Sequence, residues 1–112
     1  MNEKATQVHM DRIENLARGR GLAEVERATG DDVPALTIAG QPFVSLREKD
    51  VLALLCPIDQ KILLLEISPD IYFETESEIG QEAVLVRLDR ISDEELSLRI
   101  GDAWAYRRRG HD

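Results

Sequence analysis

The sequence predicts an α+β fold, a two-layer sandwich in which one antiparallel sheet carries its helices on one face. Three observations lead there. Apolar segments between residues 34 and 56 are short and separated by brief turn-forming stretches, the spacing of an antiparallel meander. Segments near the start and the end of the chain instead repeat their apolar residues at helical spacing. No linker, repeat or low-complexity tract divides the 112 residues, so residues 1–112 read as one domain.

The elements follow in order. From about Ala5 to Arg18, Met10, Ile13, Leu16 and Ala17 form one apolar stripe, and Gly19 and Gly21 supply a helix stop. Residues 23–29 alternate weakly around Val25 and predict a short edge strand, followed by a turn at Gly30-Asp31-Asp32. Pro34 to Ala39 is a strand with Leu36 and Ile38 on one face. Gly40-Gln41 is expected to reverse it into a second strand, Gln41 to Arg47, with Phe43, Val44 and Leu46. The turn Glu48-Lys49-Asp50 leads to Val51–Cys56, which is apolar on both faces and therefore expected at the sheet centre beneath a helix. Pro57 closes it.

Ile58, Ile62 and Leu65 recur at i, i+4, i+7 and predict a short helix ending before Ser68-Pro69. Leu63, Leu64 and Ile67 blur the period, leaving a strand open there. Asp70–Phe73 reads as a turn, with a short strand near Tyr72 as an option. Thr75–Gln81 reads as an acidic surface loop, and Ala83–Leu88 as a strand. The last helix has the sharpest local signature. Ser92 and Glu95 form a capping box, and Ile91 and Leu96 stand at the staple positions. Leu96, Ile100, Ala103 and Trp104 make its apolar stripe, and Gly110 follows Arg107–Arg109 as a stop. The order is α-β-β-β-α-β-α, with optional strands near Val25 and Tyr72.

The segments PALTIAGQPFVSLREKDVLALLC (34–56) and EAVLVRLDRISDEELSLRIGDAW (82–104) resemble the MmcQ/YjbR family of small bacterial proteins. Gly40, Pro42 and Phe43 match the family's opening hairpin, and the second segment matches its final strand and C-terminal helix. The similarity spans roughly Met10 to Arg107. It implies the fold α-β(3)-α-β(2)-α and, as the family is described, DNA binding through a double-wing arrangement. Where many members carry a His/Asn/Lys-rich stretch and a Trp before the final strand, this chain has Thr75-Glu76-Ser77-Glu78-Ile79-Gly80-Gln81-Glu82, which is acidic.

Composition narrows the function classes. Fourteen Lys and Arg against twenty-two Asp and Glu give a net charge of −8, which repels polyanions at long range and leaves DNA binding dependent on a local basic patch. The single cysteine, Cys56, excludes an internal disulfide and points to the cytoplasm. No apolar run is long enough for a membrane span, and the N-terminus lacks a signal-peptide core, so no membrane partner is expected.

Arg18 and Arg20, together with Arg107, Arg108 and Arg109, are the candidate nucleic-acid contacts, provided the terminal helices are neighbours. Cations favouring a helix C-terminus are the preferred plain reading of the last three. Glu74, Glu76, Glu78 and Glu82 suggest a hard-cation site less than a solvated loop, so no metal is expected. Tyr72, Phe73 and Trp104 are expected in the core, and Cys56 as a buried thiol. The histidines, His9 and His111, lie in the terminal segments and cannot be assigned as bases. With no nucleophile elbow, metal-binding helix motif, phosphate loop or dinucleotide fingerprint, neither a catalytic residue nor a cofactor is expected. The expectation is a non-enzymatic binding domain with DNA as the partner the resemblance implies. The alternative is an acidic protein-interaction module layered like the secretion chaperones. Oligomeric state is left open.

Overall fold

The computed structural model describes residues 3–28, 33–47 and 50–110. Its elements are α1 (Glu3–Gly19), β1 (Val25–Ala28), β2 (Ala35–Ile38), β3 (Gln41–Arg47), β4 (Val51–Leu55), α2 (Ile58–Ile67), β5 (Tyr72–Phe73), a 3₁₀ turn (Glu76–Glu78), β6 (Ala83–Arg87) and α3 (Asp93–Gly110). The strands form one antiparallel sheet in the order β1-β2-β3-β4-β6-β5. Both optional strands form, one at each edge. The α+β class holds, and β4 lies inside the sheet under α3 as its two apolar faces require. The expected turns at Gly30-Asp31-Asp32 and at Glu48-Lys49, and the terminal His111, fall outside the described residues.

Register sorts the side chains. Leu46, Leu52, Val86 and Tyr72 lie in one cross-strand row, and the Tyr72 hydroxyl reaches Glu95 on α3, which marks this as the helix-bearing face. The adjacent row, Ala35, Ser45, Ala53, Leu85 and Phe73, points the other way. α3 lies across β2, β3 and β4 with α1 beside it. Met10, Ile13 and Ala17 of α1 and Leu96, Ile100 and Ala103 of α3 fill the space between the layers. Each large aliphatic among them contributes roughly 1.5–3 kcal/mol by leaving water.

Three local expectations are corrected. The β2–β3 reversal sits at Ala39-Gly40, not Gly40-Gln41. Both residues have positive φ, 53° and 77°, the geometry of a two-residue hairpin turn whose twist matches the strands. A register shift after Leu36 leaves Phe43 without a cross-strand partner, so Phe43 and Val44 are both buried although they are adjacent. At α3 only half of the capping box forms. The Glu95 amide donates to Ser92 Oγ at 3.1 Å, but the Glu95 carboxylate accepts the Tyr72 hydroxyl at 2.5 Å instead of returning to the Ser92 amide. Ile91 and Leu96 are both buried at the staple positions.

Of the two readings left open for 58–67, the helix forms, and its buried residues are Lys61 and Leu64. The segment expected to be a loop also holds the 3₁₀ turn, with Glu78 buried in it. The buried lysine and the ordered turn share one cause.

Candidate functional site

Lys61 is 3% exposed. Its ammonium donates to the carbonyls of Glu78 (2.5 Å) and Gln81 (2.9 Å) and pairs with Glu74 Oε1 at 2.7 Å. A buried cation is tolerated when it is paired and hydrogen-bonded, and these partners belong to the chain that runs from β5 to β6. The aliphatic stem of Lys61 packs inward while its head ties that connection to α2. Glu78 reinforces the turn: its carboxylate accepts the Thr75 amide at 2.9 Å and the Thr75 hydroxyl at 2.6 Å. Burial alone would raise the carboxyl's pKa, but the hydrogen bonds from Thr75 outweigh it and hold the group below its ordinary value.

Anchoring α2 through Lys61 turns its other side outward. Ile62 is 56% exposed, Leu63 53% and Ile67 67%, with Ile58 at the margin. These four and the carboxylates Asp59 and Glu66 make up the outward surface of the helix. Asp59 and Glu66 have no ion-pair partner among the described residues. Exposed aliphatics scattered singly need no explanation, whereas Ile58, Ile62, Leu63 and Ile67 are grouped on one helix.

Each of the five candidate arginines has a local partner. Arg18 donates to Glu14 one turn back on α1, by Nε at 2.9 Å and Nη2 at 2.5 Å. Arg20 crosses to α3 and donates to Ser97 Oγ at 3.2 Å. It lies over Gly101, where a Cβ would stand 2.9 Å from Arg20 Nε. Arg107 donates from Nε and Nη2 to the Pro42 carbonyl, at 3.1 and 2.8 Å, and ties α3 to the start of β3. Arg108 stacks over Trp104 at 4.8 Å, and Trp104 Nε1 donates to the Ala23 carbonyl at 3.0 Å. Arg109 stands over Tyr106 at 5.9 Å, whose hydroxyl donates to Glu82 at 2.7 Å. The terminal helices are neighbours as required, and Arg107 and Arg108 share a cleft of about 400 Å³ with Glu24. Carboxylates are interleaved with the cations: Arg12 pairs with Asp93, and Arg27 with Asp11 and Glu14.

Three of the four acidic candidates have local partners. Glu74, Glu78 and Glu82 are drawn to Lys61, Thr75 and Tyr106 respectively and do not converge. Among the described residues no group of three or more His, Cys, Asp or Glu is placed to hold a metal ion. Phe73 is half-buried, with the Arg87 guanidinium 4.0 Å over its ring. Tyr72 is buried, and burial with the hydrogen bond to Glu95 pushes its phenol upward. Burial pushes the Cys56 thiol up to about 11, so at neutral pH it is a thiol and not a thiolate. His9 Nε2 meets Asp50 Oδ1 at 2.7 Å. No helix among the described residues is long and apolar enough to cross a membrane.

Sequence periodicity did not resolve the outward face of α2, because Leu63, Leu64 and Ile67 blur the aliphatic period. The usable signal was the lysine within an apolar helix, followed by an acidic segment able to neutralise it. No protein-family model, curated protein or solved structure matches this chain.

Proposed function

We propose that this chain is a non-catalytic, cytoplasmic protein-docking domain that works through the outward face of α2. The observation that carries this reading is the inversion of α2, with a lysine buried and three large aliphatics more than half exposed. Leaving that much apolar surface in water forgoes burial worth roughly 25 cal/mol per Å², which a docked partner recovers. The non-catalytic part rests on the protonated Cys56 thiol, the upward-shifted Tyr72 phenol and the separately engaged carboxylates of the acidic segment. The cytoplasmic part rests on the lone cysteine. Kinship with the MmcQ/YjbR family is proposed on the two segments that resemble it.

DNA binding is the weaker reading. Arg18, Arg20 and Arg107 are held by Glu14, Ser97 and the Pro42 carbonyl, and a net charge of −8 opposes approach to a polyanion. Affinity purification with wild type and with the Ile62→Asp/Leu63→Asp variant tests the choice. One stoichiometric protein recovered by wild type and lost by the variant is expected. DNA binding that weakens steeply with salt and is unaffected by the α2 substitutions would overturn it.

A further inference from the structure

We infer that the outward face of α2 receives a basic helical segment of a partner protein, one carrying two cations about two turns apart beside aliphatic side chains. This rests on the docking reading above and adds the chemistry of the occupant. At about 100° per residue, Asp59 and Glu66 fall within roughly 20° of each other and ~10 Å apart along the axis. That line lies opposite the buried pair Lys61 and Leu64. Ile62 and Leu63 flank it on either side, so the face is a carboxylate seam between aliphatic ridges.

The two carboxylates differ in what the fold does for them. Asp59 is in the first turn, where the helix dipole favours a negative charge. Glu66 is near the C-terminus of α2, where the dipole opposes it, and no basic residue lies in that turn. An incoming cation relieves this, whereas nothing described in the chain does.

The same charges argue against a second copy as the occupant. Two α2 faces packed together would align four carboxylates, while the only cation of the helix, Lys61, is buried and already engaged. Each chain also brings a net charge of −8. An anionic lipid surface is excluded by the same sign.

The test is selection of a randomised library of helical peptides on the folded full chain, with affinities of the selected peptides read by fluorescence anisotropy. Circular dichroism of each variant confirms that the fold is retained. The expected peptides carry Lys or Arg at i and i+7 with Leu or Ile between them. Their binding should weaken with ionic strength and be lost with Ile62→Asp. It should fall on the order of 10-fold with Asp59→Lys/Glu66→Lys. Neutral or acidic peptides that bind equally well and still require Ile62 would overturn the charge chemistry and leave the docking reading standing. Absence of any Ile62-dependent ligand would overturn both. Reversible dimerisation abolished by Ile62→Asp, seen by sedimentation, would make a second copy the occupant and overturn the inference.

Discussion

α2 and α3 are both helices attached to the same sheet, and they invert the usual relation between composition and burial. Six of the ten residues of α2 are Ile or Leu, yet only Lys61 and Leu64 are buried. Eight of the eighteen residues of α3 are charged, yet Leu96, Ile100 and Ala103 are fully buried. A helix buries the face its neighbours can seal, whatever its average polarity. α3 presents a continuous apolar stripe to β2, β3 and β4. α2 meets β5, β6 and the Glu74–Gln81 segment, where carbonyls and a carboxylate need a donor. Lys61 satisfies that need and an aliphatic residue would not.

Three measurements sharpen or break this contrast. The largest effect is expected from the same truncation on the two helices. Ile100→Ala opens a cavity in a closed core and should cost about 2–5 kcal/mol in urea unfolding. Ile62→Ala should stay within about 0.5 kcal/mol, as surface changes do. Comparable losses at the two positions would mean that the α2 face is not exposed.

The second test removes the clamp. Lys61→Met keeps most of the apolar stem but leaves two carbonyls without their donor and the Glu74 carboxylate without its cation, at about 1–3 kcal/mol. Amides of residues 75–81 should then exchange faster with deuterium, while those of α3 keep their protection. Wild-type stability in Lys61→Met would show that the buried ammonium is not what orients α2.

The smallest effect is a pH dependence. The folded Glu78 carboxyl lies below its ordinary value of 4.5, so the unfolded chain binds more protons and stability rises with pH across that window. The contribution is present above 4.5 and is lost as pH falls through the folded value. Glu78→Gln lacks it. The difference between wild type and Glu78→Gln in urea midpoint should therefore shrink as pH drops from 6 toward acid, and a constant difference would remove the assignment.

Much of the fold was legible because its signals are local. The α1 stripe, the meander, the central position of β4 and the staple around Ser92 each follow from residues close in sequence. The optional strands at Val25 and Tyr72 stayed open because an edge strand of four or two residues is formed by its neighbour more than by its own propensity. The arginines were legible as residues but not as a site. Whether Arg20 meets Ser97 or solvent depends on α3 packing against α1 with glycine at position 101, a contact eighty-one positions away along the chain.

By itself the sequence determined the class, the meander and the helical segments, because hydrophobic period and turn chemistry act over a few residues. Only the tertiary structure decided which way α2 faces and which cations are already committed. Those outcomes depend on whether a buried ammonium finds acceptors on a distant segment, and an isolated helix holds no information about what it will be packed against.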